Sequence, residues 1–286
     1  MQKNGITFAI WVIVIFAAAG GALSAIFSGF IDLKGAPAPQ KTVAASQPAA
    51  PETKKEDAAA FNPPSLESAP ADIKDAVMLG YNIMMNTAKY AGGYTGNKLS
   101  CSNCHFKGGM TSGGENGGLS LTGVGASYPQ YKKRQNYSVD LVTRTNDCFQ
   151  RSMNGRPLSA DSKEMTAIVT YYQWISKGLP IYGNIPWLGL KHLTSAHKPD
   201  KTKGKLVFKD KCAVCHGENG LGSPAAPPVW GNGSFNDGAG MAKPANLAAF
   251  AHFNMPLENP DLTVEDALDV AAFVSTQPRP HFTAIK

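Results

Sequence analysis

The chain has 286 residues, 43% of them hydrophobic, with 27 lysines and arginines against 21 aspartates and glutamates and a formal net charge of +6. That length accommodates about two domains, and the positive balance raises the local concentration of small anions and acidic partners without identifying either. No dense basic stripe with interleaved aromatics is present, which argues against a nucleic-acid partner.

The first element is apolar. No charged residue lies between Asn4 and Ile31, and Ile6 to Phe30 is nearly continuous hydrophobic sequence. A signal-peptide core runs about 7–15 residues, whereas a spanning helix needs roughly 20. The run therefore predicts a signal anchor over residues 1–34 that stays uncleaved, although Ala17, Ala19, Ala22 and Ser24 leave cleavage possible. Either outcome exports the remainder, tethered to the periplasmic face of the inner membrane or released into the periplasm. Residues 35–70 are rich in Ala, Pro, Lys and Glu without sustained apolar periodicity, and read as a flexible linker.

Two similar halves follow, expected at 71–195 and 196–286. In the first, Ile73, Val77, Tyr81 and Met84 recur at helical spacing ahead of Cys101-Ser102-Asn103-Cys104-His105. A long Gly-rich loop leads to the segment Arg144 to Pro157. A second helical stripe of Met165, Ile168, Val169, Tyr172 and Ile175 then closes the half, with Asp161 and Glu164 placed as its cap. A connector with Pro180, Pro186 and Pro199 carries the boundary, near residues 192–203. In the second half, Gly204, Leu206, Val207 and Phe208 predict a short amphipathic helix running into Cys212-Ala213-Val214-Cys215-His216. Val264, Leu268, Ala271 and Val274 predict the closing helix, behind a Thr263-to-Asp266 cap.

The five cysteines carry the chemistry. C-x-x-C-H is the c-type haem attachment pattern. Its two thiols add to the haem vinyl groups, and its His reaches the iron from the proximal side. One copy alone would also fit a redox C-x-x-C or half a zinc site. Two copies, each followed by His in an exported chain, point to two covalently bound haems held by Cys101, Cys104, Cys212 and Cys215, with His105 and His216 as iron ligands. A zinc reading would want a further ligand pair for each motif, and the sequence offers none.

Helix, haem motif, long loop, helix, twice over, resembles a tandem of class I cytochrome c domains and implies a mainly α fold. In the second half, Met255 of Asn254-Met255-Pro256, just ahead of the last helix, resembles the distal ligand of such cytochromes. Thioether ligation raises the reduction potential and suits electron transfer. Met241 and His252 are its competitors, with Met255 as core filler the plain reading. The first half has no matching Met-Pro and has the unpaired Cys148 instead. An inert buried thiol is the plain reading there, and Met153 is the rival ligand. A lone cysteine in an oxidising compartment nevertheless suggests a function. Arg144 and Arg151 on either side favour the thiolate, the form that ligates iron or attacks sulfur.

Around Cys148 the sequence is Cys148-Phe149-Gln150-Arg151-Ser152-Met153-Asn154-Gly155, and from about Ala71 onward the chain resembles the dihaem thiosulfate dehydrogenases, the tetrathionate-forming cytochromes with a His/Cys catalytic haem. The resemblance implies a catalytic role for Cys148, with Ser152 as the nearby hydroxyl and Arg134 and Arg144 as the basic residues of the substrate pocket. It also implies Met255 as distal ligand of the second haem. Some members carry a Lys before that Met and exchange ligands on reduction; Asn254 here implies no such exchange. On residue patterns alone, Arg134 within Lys132-Lys133-Arg134 reads as a solvated charge cluster, Arg144 as a haem-propionate partner, and Ser152 as a turn residue.

The implied activity is oxidative coupling of two thiosulfates to tetrathionate. Electrons would pass from the His/Cys haem to the His/Met haem and on to an external acceptor, such as a small cytochrome c or a quinone-linked membrane cytochrome. Three rivals accompany it: the same site working in reverse as a tetrathionate reductase, a haem subunit of the sulfur-oxidising multienzyme system, and a dihaem electron carrier with no substrate site.

Overall fold

In a computed structural model of the protein, residues 61–111 and 117–284 are described. The expected anchor at 1–34 and most of the expected linker lie outside them. Among the described residues no helix is long and apolar enough to cross a membrane.

The described chain is mainly helical. The first half contains α1 (Ala71–Met85), a hairpin of β1 (Gln130–Lys132) and β2 (Tyr137–Val139), α2 (Leu141–Arg151) and α3 (Lys163–Ile175). The second contains α4 (Lys201–Val207), α5 (Pro244–Asn254) and α6 (Val264–Ser275). In each half the first helix packs on the last, α1 on α3 and α4 on α6.

The crossing uses the same device twice. In α1 the buried face is Val77, Gly80, Ile83 and Met84, spaced to fall on one side of a helix. A side chain at Gly80 would collide with the Ala167 carbonyl and the Tyr171 Cβ of α3. Gly204 of α4 lies equally hard against the Asp269 carbonyl of α6. Glycine is needed at both places because backbone meets backbone. Adding a methyl to a packed contact costs about 1–3 kcal/mol, and a protein this size loses about 2–4 °C per kcal/mol. Gly204→Ala is accordingly expected to lower the thermal midpoint by several degrees in circular dichroism; an unchanged midpoint would mean the crossing spreads freely.

Sequence periodicity located α1, α3 and α6, but three details differ. The cap of α3 is Ser162, whose hydroxyl accepts from Met165 N at 3.2 Å; Asp161 is instead engaged by the Ser159 hydroxyl. Burial falls on Gly204 of α4 and on Phe208 directly after it, which is 4% exposed, while Leu206 is 65% exposed. The reason is spacing: positions four apart share a face and positions two apart do not. Finally, residues 61–70 of the expected linker pack onto the first half. Leu66 and Ala69 enter its core, Phe61 stacks on Trp187 at 6.3 Å, and Trp174 Nε1 donates to the Ser65 carbonyl at 3.1 Å. Isolated apolar residues with no periodicity gave no such signal. The cap of α6 is as read: Thr263 Oγ1 accepts from Asp266 N at 3.0 Å.

Two further links shape the site. Asp140 caps α2 by accepting from Thr143 N at 2.7 Å, so the helix begins directly after β2 and the hairpin turn at 133–136 stays close to it. The end of α2 is then tied to the second half. Asn236 N donates to the Arg151 carbonyl at 3.0 Å, Asn236 Nδ2 to the Gln150 carbonyl at 2.8 Å, and Arg151 Nη1 to the Gly238 carbonyl at 3.3 Å. The Arg151 guanidinium also lies over the Phe282 ring at 3.9 Å.

Candidate active site

The first C-x-x-C-H segment folds as a 3-10 turn and the second as a short helical stretch. His105 N donates to the Cys101 carbonyl at 2.9 Å, which gathers two thiols and an imidazole onto one turn. His105 Nδ1 meets the Leu119 carbonyl at 2.7 Å, and His216 Nδ1 meets the Pro227 carbonyl at 2.7 Å. A carbonyl only accepts, so each Nδ1 carries the proton and Nε2 is left with its lone pair free to ligate a metal. Burial pushes His105 down to about 4, which keeps the ring neutral and able to bind iron.

In the second half, Cys212, Cys215, His216 and Met255 line one apolar cavity of about 330 Å³, together with Phe208, Val270 and Val274. Met241 lines it as well. His252 instead turns its Nδ1 to the Leu262 carbonyl at 2.8 Å. Arg279 stacks on Phe235, a wall of the same cavity, at 4.5 Å, and its Nη1 is buried without a partner. Thiols, imidazole, thioether, apolar walls and an unpaired guanidinium nitrogen together fit a haem that brings vinyl groups, iron and carboxylates. Leu99, Ser102, Asn103, Cys104 and Phe106 of the first half also line this cavity, so the first motif borders the second haem's space. Phe106 and Phe250 meet edge-to-face across the boundary at 5.9 Å.

In the first half, α2 sets Arg144, Cys148 and Ser152 four residues apart along one stripe. Arg144 Nη1 donates to Cys148 Sγ at 2.9 Å. The Arg144 guanidinium is held above its ordinary value, first by the charge of Cys148 and against the cost of its own burial. The field of Cys148 also reaches Cys101 and Cys104, and that of Arg144 reaches His105. The sulfur, the arginine and the first haem motif therefore share one site. Ser152 is the C-cap of α2, its backbone N donating to the Cys148 carbonyl at 2.8 Å. Met153, the rival ligand, lies past the helix end and is 3% exposed.

Arg134 stands in the hairpin turn, largely exposed. Its guanidinium is held below the usual value, first by partial desolvation and then by Arg151. Lys132 is lowered by burial and then by Arg144. Tyr128 is raised by burial, with Arg144 pulling the other way. Asp147 is committed to Arg151 Nε at 3.2 Å and to Gln135 Nε2 at 2.5 Å. Among the described residues, no ion pair holds Lys132, Arg134 or Arg144. Cations crowded at a mutual cost around a sulfur, with their nearest carboxylate already taken, make a receptor for anions.

All four sequence-predicted catalytic residues thus lie on α2 or on the turn beside it. Sequence reasoning passed over Lys132 and Tyr128. The cationic run at 132–134 was the signal for Lys132; nothing local marked Tyr128.

Comparisons agree with this architecture. Residues 91–181 match the family described as SoxA/TsdA, cytochrome c domain, and residues 202–278 match cytochrome c. These two cytochrome c domains carry two covalent haem c groups. The chain is 36% identical over 215 residues to a thiosulfate dehydrogenase of Allochromatium vinosum, covering 73% of this chain and 80% of that protein. It is 37% identical over 251 residues to one of Thiomonas intermedia, covering 83% and 79% respectively. Among solved structures, it superposes on the thiosulfate dehydrogenase TsdBA of Marichromatium purpuratum in its as-isolated form. That match has a TM-score of 0.74 and 28% identity, over 80% of this chain and 52% of that one. With two haem-bearing halves and relatives that span most of its length, the chain belongs to the thiosulfate dehydrogenase family.

Proposed function

We propose that the protein is a periplasmic dihaem thiosulfate dehydrogenase that couples two thiosulfates to tetrathionate at Cys148. The observation that carries this reading is Arg144 Nη1 on Cys148 Sγ at 2.9 Å beside Lys132 and Arg134, none of which has an ion-pair partner among the described residues. An electron carrier without a substrate needs neither the sulfur nor the surplus positive charge.

Cys101, Cys104, His105 and Cys148 would hold the first haem, and Cys212, Cys215, His216 and Met255 the second. When bound, the haems would supply one-electron sinks for this chemistry. Cys104 of the first motif borders the cavity of the second, so the residues that would hold the two groups lie close together.

The residues have distinct tasks. Arg144 and Arg134 pair with sulfonate oxygens, lowering the cost of bringing a dianion to a thiolate. Arg144 also donates to Cys148 Sγ and so orients the sulfur, and Ser152 offers a hydroxyl one turn away. Cys148 Sγ joins the outer sulfur of the first thiosulfate, forming an S–S bond as two electrons leave. The second thiosulfate then attacks the outer sulfur of that adduct. Tetrathionate departs and the Cys148 thiolate returns, so that two thiosulfate dianions give one tetrathionate dianion and two electrons. Guanidinium groups arranged for sulfonates serve both steps.

The direct test is stoichiometric. Purified holoprotein, given thiosulfate and a one-electron acceptor, is expected to form one tetrathionate for each two thiosulfates consumed and two acceptors reduced. Sulfate or sulfite as the product would refute the coupling reaction. Activity appearing only after a partner cytochrome and a carrier protein are added would favour the multienzyme subunit.

A further inference from the structure

Asn254 is the last residue of α5, next to Met255, and is 1% exposed. Both ends of its amide are used. Oδ1 accepts from Gly118 N at 2.8 Å, and Nδ2 donates to the Phe250 carbonyl at 2.9 Å. The first bond crosses from the second half to the first. Gly118 sits at φ +63°, and a Cβ there would lie 2.6 Å from the Cys104 carbonyl, so the segment has no room to shift toward the motif. The next residue, Leu119, donates its N to the Cys104 carbonyl at 2.8 Å. Its carbonyl accepts from His105 Nδ1 at 2.7 Å. An unbroken path therefore runs Met255, Asn254, Gly118, Leu119, His105, with each non-covalent step a short hydrogen bond.

We propose that Asn254 is a positioning residue that ties the Met255 loop of the second haem to the carbonyl orienting His105 of the first, so that the two haem environments are set together. This rests on the reading of Met255 and His105 as iron ligands given above.

Each end of the path has a defined effect. The Nδ1–H bond to Leu119 strengthens His105 as a donor, and a stronger donor favours ferric iron. Releasing Gly118 loosens the Leu119 carbonyl, weakens that bond and raises the first potential. Releasing the Met255 loop weakens thioether ligation, which favours ferrous iron, and lowers the second potential. Loss of the Asn254 bonds therefore closes the gap from both sides. A residue that merely packed would disturb the Met loop and leave the first haem alone.

The test uses full-length holoprotein with Asn254→Ala and Asn254→Leu; the latter fills the space without the hydrogen bonds. Potentiometric titration followed optically, with the near-infrared thioether band, reads both haems. In each variant the equilibrium constant for electron transfer from first to second haem is expected to fall at least tenfold, about 59 mV for one electron, with the first potential higher and the second lower. Wild-type potentials in either variant, or a fall at the second haem with no rise at the first, overturn the proposal. If neither variant yields folded holoprotein, amide exchange on the wild type decides. Protection of Gly118 N–H should change when the second haem is reduced, and invariance overturns the coupling. A wild-type protein without the thioether band would instead remove the Met255 reading on which the proposal stands.

Discussion

Replacing Cys148 by glycine leaves both haems attached and lowers thiosulfate turnover by roughly 10³-fold or more, the scale seen when a nucleophile is removed from a site whose binding groups remain. The loss is this large because Cys148 Sγ is one partner of the S–S bond that forms, and no neighbour replaces it. Met153 lies beyond the end of α2 and is 3% exposed, and Ser152 offers only a hydroxyl. Attachment survives because Cys101 and Cys104 sit on a separate turn held by its own backbone bonds. Steady-state assay with an artificial acceptor, alongside the haem absorbance per polypeptide, separates the two outcomes. Near-normal turnover in Cys148→Gly would leave the sulfur chemistry without a centre.

Arg144→Leu is the second large effect, expected to lower kcat/KM about 10- to 200-fold. A hydrogen bond to a charged group contributes about 1.5–3 kcal/mol, and each 1.36 kcal/mol is tenfold in rate. Arg144 makes one such bond to Cys148 in the resting site and has further N–H groups for a sulfonate. Arg144→Lys is expected to recover only part of the loss, since an ammonium cannot serve sulfur and sulfonate through one planar fork. Kinetics indistinguishable from wild type in Arg144→Leu would make this arginine a bystander.

What could be read from the sequence was whatever is covalent or periodic. Two C-x-x-C-H motifs fix their own chemistry, because vinyl spacing and a proximal nitrogen demand that order of residues. The helices that enclose them show as apolar stripes at helical spacing, and Met255 stood out by its place before the last helix. Cys148 stood out by being unpaired. The remainder depends on what the chain meets after folding. Nothing in the run 130–139 marks a hairpin that carries Arg134 toward α2. Phe61, Leu66 and Ala69 are single apolar residues, so their docking onto the first half leaves no pattern. The need for glycine at 80 and 204 arises only from the carbonyls of Ala167 and Asp269, which folding brings opposite them. Asn254 was legible only as a residue that is not lysine; its bond to Gly118 spans 136 positions, and no local signal encodes such a contact.

The measurement bearing most directly on the central claim is low-temperature electron paramagnetic resonance of the oxidised wild-type protein, joined to its near-infrared absorbance. Two distinct low-spin ferric centres are expected, one with histidine and thiolate ligands and one with histidine and thioether. Two centres that both carry neutral ligands would contradict that claim, because the sulfur of Cys148 would then not face the iron held by His105.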